Sequence, residues 1–272
     1  MLALMLAACS DSTSPIQISA DDVNQAAVMS ASDATVEDVS ILSASDMTMS
    51  GGAVQNAVGG SPMMSRIPVG AASYSWTFGD GCTYSQSTGR FSCPPISAGG
   101  LTLNRDYAFL DANNGGQSAY SASATASANF HVTVSGVHVV DAGSDTVSRE
   151  RSLTVSGLLG AETSRTWNGT GTRSDGGYRQ GADAKRNYHV DDNVTVSNVV
   201  VNLPRSSNPW PMSGTITRHV VGTGSVEKAG VSKSFTIDRT VTITFDGTQN
   251  ATVSVGDKTY TLDLSTGVAT RK

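Results

Sequence analysis

Aromatic residues make up 6% of this 272-residue chain and charged residues 15%, and leucine is sparse. A helical bundle needs a longer supply of large apolar side chains, so that class is disfavoured. Only three cysteines and four histidines are present. His131, His138, His189 and His219 have no metal-ligand spacing, and the chain has no H-E-x-x-H, G-x-S-x-G or phosphate-loop motif. These absences leave no basis for nominating a catalytic residue, a metal or a cofactor. A net charge of −5 removes the general electrostatic case for nucleic-acid binding. Basic residues are missing altogether before Arg66.

What the chain does have is serine and threonine, about a quarter of all residues, together with 28 glycines and regularly spaced valine and isoleucine. Such regular spacing is incompatible with disorder throughout. The N-terminus reads as an address. Residues 1–8 (MLALMLAA) are apolar but too few to span a bilayer, and they are followed by Cys9 and the polar run SDSTSP. Leu6-Ala7-Ala8-Cys9 resembles the lipobox of bacterial lipoproteins, in which the cysteine thiol is lipidated and the peptide is cut before it. The resemblance implies a membrane anchor at Cys9. Because that pattern begins with a basic region, residues 1–8 are expected to be the remainder of a longer leader. Ser10, rather than Asp, after the anchor implies sorting to the outer membrane.

With Cys9 assigned to the anchor, Cys82 and Cys93 remain as an even pair flanking a turn at Ser87-Thr88-Gly89. A turn centred there puts the two cysteines directly opposite one another, which predicts a disulfide and an exported protein.

The first 65 residues hold seven acids, Asp11, Asp21, Asp22, Asp33, Glu37, Asp38 and Asp46, and no base. Ser19 followed by ADDV reads as a helix N-cap with acids in the first turn. A second short helix is expected over 35–46. Val23, Ala26, Ala27 and Ser30 supply only a thin apolar stripe, so this arm is not expected to fold alone. From about residue 73 the dominant period is two, most cleanly over 234–245, where Phe235, Ile237, Val241, Ile243 and Phe245 alternate with polar residues. Similar runs cover 101–110, 130–140, 147–155, 163–173, 186–201 and 212–221, and two more follow toward the C-terminus. Ten to twelve strands joined by short loops predict a mainly β fold: a large antiparallel meander forming a strongly curved sheet or partly open barrel, with a short helical N-terminal arm against it. A barrel spanning the outer membrane is the rival architecture, opposed by the non-aromatic C-terminus and by a redundant lipid anchor. The expected division is a leader over 1–8, a lipidated tether over 9–18, an acidic helical arm over 19–49, a linker over 50–72 and an antiparallel β domain over 73–272.

Three local patterns read as structure rather than chemistry. Residues 111–116 (DANNGG) lack the ligands of a calcium loop and are read as a turn. His189, followed by Asp191 and Asp192, offers an imidazole–carboxylate pair but is read as a surface histidine beside a turn. The stretch 74–81 (YSWTFGDG) resembles the signature of PKD domains, a β-sandwich of bacterial surface proteins, over those eight residues only.

Arginines carry the remaining signal. Arg105, Arg151, Arg165, Arg186, Arg218 and Arg239 each stand in phase with the apolar side of a strand. A buried guanidinium without a partner costs several kcal/mol, on the order given for unpaired charges, so each needs a route to water, an internal acid or an anionic ligand. The expected function is a lipid-anchored envelope protein, monomeric, with a non-enzymatic structural or binding domain. The alternative is a carrier or sensor of an anionic amphiphile, its head on these arginines and its tail on the apolar face.

Overall fold

The computed structural model describes residues 18–49, 81–140, 142–181 and 184–272. The leader, Cys9, the expected linker and residues 74–80 of the PKD-like stretch lie outside them.

One helix, α1 (Ala20–Met49), opens the described chain. Ser19 caps it: the Asp22 backbone N–H donates to Ser19 Oγ at 3.2 Å, while Ser19 N and Oγ donate to Asp22 Oδ2 at 2.7 and 2.8 Å. This reciprocal cap satisfies donors that the first helical turn leaves orphaned. Where the sequence predicts two short helices, the helix runs unbroken for 30 residues. Its hydroxyl residues do not interrupt it because they turn inward on their own backbone. Thr35 donates to the Ala31 carbonyl at 2.7 Å and Ser45 to the Ile41 carbonyl at 2.8 Å.

The rest is one antiparallel sheet of 14 strands. A small hairpin, β1 (Thr83–Ser85) and β2 (Arg90–Ser92), precedes β3 (Ile96–Ala98), β4 (Leu101–Leu110) and β5 (Gly116–Gln117). Six longer hairpin-linked strands follow the fourth and fifth in part: β6 (Ser127–Val140), β7 (Gly143–Ser156), β8 (Ser164–Gln180), β9 (Ala184–Asn202), β10 (Ser213–Lys228) and β11 (Val231–Thr244). The chain closes with β12 (Asn250–Val255), β13 (Lys258–Asp263) and β14 (Ala269–Arg271). From β6 to β14 each strand pairs with the next in sequence. β1 and β14 are the two ends of the strand order and do not pair, so the sheet is curled but open. Cys82 and Cys93 are joined by a disulfide beside the β1–β2 hairpin, as their opposed spacing predicts.

Alternation fixes which face is covered. On β7, Val147, Arg149, Arg151, Leu153 and Val155 are buried while Ser148, Glu150, Ser152 and Thr154 are exposed. β9 repeats this with Val190, Asp192, Val194 and Val196 inside and Asp191, Asn193 and Thr195 outside. The covered face is therefore concave and mostly apolar, and the outer face is polar, the reverse of a barrel whose outside meets lipid. Among the described residues no helix is long and apolar enough to cross a membrane.

The helix occupies the concavity. Its side chains bond to residues of β7, β8, β10, β11 and β14, which one rod can reach only if the sheet wraps round it. Accordingly most of α1 is buried, with Ala27, Ala31, Ser32, Ala34, Thr35, Val39, Leu42 and Ser45 all at most 1% exposed. Its first turn is at least partly exposed, and Met29, Asp33, Val36 and Ser43 form a partly exposed stripe. Register irregularities at Trp167/Gly169 and Ser213/Thr215 add local bend to the long strands.

Candidate functional site

The site that the sequence points to is the inner face of the sheet, and its arginines form rows across the strands. Pairing registers place Arg105, Val132, Arg151, Gly171, Val194, Arg218 and Val241 in one line. Arginine thus stands on three strands of that line, β4, β7 and β10, and small or apolar residues fill the others. The adjoining line holds Val134, Arg149, Arg173, Asp192, Val220 and Arg239. Two inward-facing rows carry most of the buried charge of the sheet.

Acids of α1 meet these rows at the middle. Asp38 lies between two guanidinium groups, accepting from Arg151 Nε at 2.6 Å and from Arg218 Nη2. Arg218 also donates to Asp192 of β9. Glu37 accepts from Arg149 Nη1 at 2.6 Å, and the same arginine holds Asp175 of β8 at 2.5 Å. Arg173 completes this group, 2.7 Å from Asp175 and 3.1 Å from the Ser30 carbonyl of the helix. Near the helix C-terminus Asp46 accepts from Arg165 Nη1 at 3.0 Å, while Arg165 Nε donates to Glu162 at 2.6 Å and Arg205 approaches Asp46 at 3.5 Å.

Close packing of these groups depends on a missing side chain. A Cβ on Gly171 would lie 2.6 Å from Arg151 Cδ and 2.9 Å from its Nη1. Only glycine there lets the Arg151 guanidinium lie over β8 and donate to the Thr172 carbonyl at 2.9 Å.

Burial and pairing pull the ionisations in opposite directions. Burial alone would raise the Asp175 carboxyl, and the Arg173 and Arg149 guanidinium groups more than offset it, so it is lowered from its ordinary 3.8. At Asp46 burial prevails over Arg205 and Arg165, and the carboxyl is raised. Burial opposes the charge of Arg149 too, yet Glu37 and Asp175 raise it overall. These are mutually neutralised charges, not poised acids and bases.

The six arginines singled out in the sequence have different environments. Arg151, Arg165 and Arg218 pair with helix acids as described. Arg105 is buried, with Nη2 donating to the Pro94 carbonyl at 3.2 Å. Arg239 is half-buried, its Nε donating to Asn24 Oδ1 at 2.7 Å. Arg186 stands apart, near the far end of β9, with its Nε buried and no hydrogen-bond partner. Arg149, Arg173 and Arg205 escape the sequence reading although Arg149 is in phase with Arg151 two residues on. Asp175 and Asp192, acids supplied by the sheet itself, escape it as well.

The carboxylates of this cluster are held by guanidinium groups, and among the described residues no group of three His, Cys, Asp or Glu side chains could hold a metal. On the outer face Asp106, His131 and Ser152 share one row. His131 Nδ1 is 2.7 Å from Asp106, but its Nε2 faces Glu150 at 3.2 Å and no hydrogen bond joins it to the serine. That is a surface ion cluster. His189 and Asp191 form an exposed pair at 3.2 Å, and Asp111 Oδ1 accepts from the N–H groups of Asn113 and Gly115 to close a turn.

Compared with known proteins, the chain matches no family model, no curated protein and no solved structure.

Proposed function

We propose that this chain is a lipid-anchored protein of the bacterial envelope, held at the outer membrane, whose β domain is a structural or binding module and not an enzyme. The observation that carries the reading is Leu6-Ala7-Ala8-Cys9 followed at once by a polar tract. Two further features support it. The Cys82–Cys93 disulfide belongs to an oxidising compartment. The helix begins at Ala20, so the stretch from Cys9 could span at most about 40 Å when extended, a tether long enough to stand the domain off a membrane.

The carrier reading has less support where the arginine rows are concerned. Carboxylates of α1 already occupy the positions that an anionic head group would take at Arg151, Arg165 and Arg218. At these three positions the ligand of the guanidinium group is the protein's own helix.

Cell fractionation with labelled palmitate tests the anchor. The native protein should sediment with membranes and carry label, whereas Cys9→Ser should be unlabelled and soluble with an unchanged thermal midpoint. Undiminished sedimentation of Cys9→Ser would overturn the reading.

A further inference from the structure

Beyond the rows that bond to the helix, β8–β11 continue toward their hairpin tips, and the inward positions there change character. The last aligned row reads Gly143, Arg179, Arg186, Val226 and Lys233. Lys228 lies two residues beyond Val226 on the same side of β10, opposite Ala184. The row beneath holds Asp145, Gly177, Tyr188, Gly224 and Phe235. Phe235 covers Gly224, where a Cβ would sit 2.3 Å from the ring Cζ. The open end of the curl is thus a floor of Phe235, Tyr188 and Val226 rimmed by four cations.

These cations are unequally provided for. Arg179 donates to Asp145, which also accepts from the Tyr188 hydroxyl at 2.5 Å. Each oxygen of that carboxylate thus already has a partner, and neither is Arg186. Arg186, directly opposite Arg179, has no ion pair among the described residues, and its Nε is shut away from solvent unbonded. Lys228 and Lys233 likewise have no ion pair or hydrogen bond among the described residues. Of the acids on this part of the sheet, Glu227 and Asp191 face outward by alternation. Asp141 and Asp183 are outside the described residues. Like charges facing one another across strands repel, a cost that an anion between them would remove. Neighbouring strands lie about 4.8 Å apart, so the long side chains of Arg186, Lys228 and Lys233 can reach one common point.

We propose that Arg186, Lys228 and Lys233 form a binding site for a phosphate-type anion at the open end of the sheet, with Phe235 and Val226 placed to contact an apolar group attached to that anion. The guanidinium supplies a planar fork and the two ammonium groups supply point charges, a donor set suited to phosphate oxygens. The site does not depend on the lipid anchor.

Titration calorimetry of the full chain at low ionic strength, with inorganic phosphate and with monomeric hexyl phosphate as probes, tests this. Saturable binding of either probe is expected, weakened about tenfold or more in Lys228→Gln/Lys233→Gln, a pair of rim positions whose loss spares the core. Lys258→Gln, a lysine paired with Asp257 elsewhere, should bind as the native protein does. Hexyl phosphate binding more tightly, with that advantage lost in Phe235→Ala, assigns the site to a head group on an apolar body. Equal affinity for both probes assigns it to the free anion and overturns the role given to Phe235 and Val226. No saturable binding, or binding indifferent to the lysine substitutions, overturns the site.

Discussion

Asp38 ties two separated strands to the helix, because its two carboxylate oxygens go to different strands, one to Arg151 and one to Arg218. Removing one member of a buried ionic group is strongly unfavourable, since the remaining charges stay desolvated without compensation. Asp38→Asn should therefore lower stability by roughly 3–5 kcal/mol, measured as a shift in denaturant midpoint. A loss below about 1 kcal/mol would place the group in contact with water. The two displaced carboxyls predict opposite pH behaviour. Asp175 is lowered in the folded state, so its contribution is present above 3.8 and is lost as pH falls through that value toward the folded one. Asp46 is raised, so acidification from its folded value toward 3.8 relieves a cost. Urea melts across pH should show the penalty of Asp175→Asn shrinking between pH 7 and pH 3. Over the range from pH 7 to pH 4 the penalty of Asp46→Asn should grow. Identical slopes in the two variants would contradict both assignments.

The helix as an element shows where sequence reasoning reaches and where it stops. Its start is legible, because Ser19 and Asp22 have the residue types and spacing of a cap. Ser19→Ala should cost about 1 kcal/mol, read from a thermal or denaturant midpoint, and an unchanged midpoint would contradict the cap. Its length is not legible: amphipathic periodicity reveals a helix by contrast between two faces, and α1 shows little because its buried faces mix alanine and valine with serine, threonine and carboxylates. Ser32, Thr35 and Ser45 look like surface residues in sequence and are buried in fact. The strands follow the same logic. Those with large apolar residues at most alternate positions, such as β11 with Phe235, Ile237, Val241 and Ile243, are plain, whereas β8 and β10 extend through SDGG and VGTGS, where inward glycines at Gly177, Gly222 and Gly224 erase the alternation. The inward arginines signal a charged interior, yet which acids answer them depends on the helix lying inside the curl, a fact of tertiary geometry. Excising residues 20–49 leaves Arg149, Arg151, Arg165 and Arg218 without the helix carboxylates. The truncated protein should lose its cooperative thermal transition and bind a reporter dye for apolar surface.

At the scale of the molecule, an open sheet must protect its two edges, and here both end strands are only three residues long, with the disulfide beside one of them. The interior is joined by contacts distant in sequence. Glu37 and Arg149 are 112 residues apart, Asp46 and Arg165 are 119 apart, and Asp38 and Arg218 are 180 apart. The helix is the first of these elements to be synthesised and β10 among the later ones. Until β10 emerges, Asp38 lacks one of its two counter-ions and the sheet has no concavity to receive the rod. Order of synthesis is therefore the reverse of what the core requires, and folding has to wait for a nearly complete chain. Such a long-range topology makes for slow acquisition of the native state, and a chain crossing a membrane N-terminus first would remain extended until most of it had passed. A protein truncated after residue 211 should show no cooperative unfolding, and refolding of the full chain should be a single slow process in which helix signal and tertiary fluorescence of Trp167 return together.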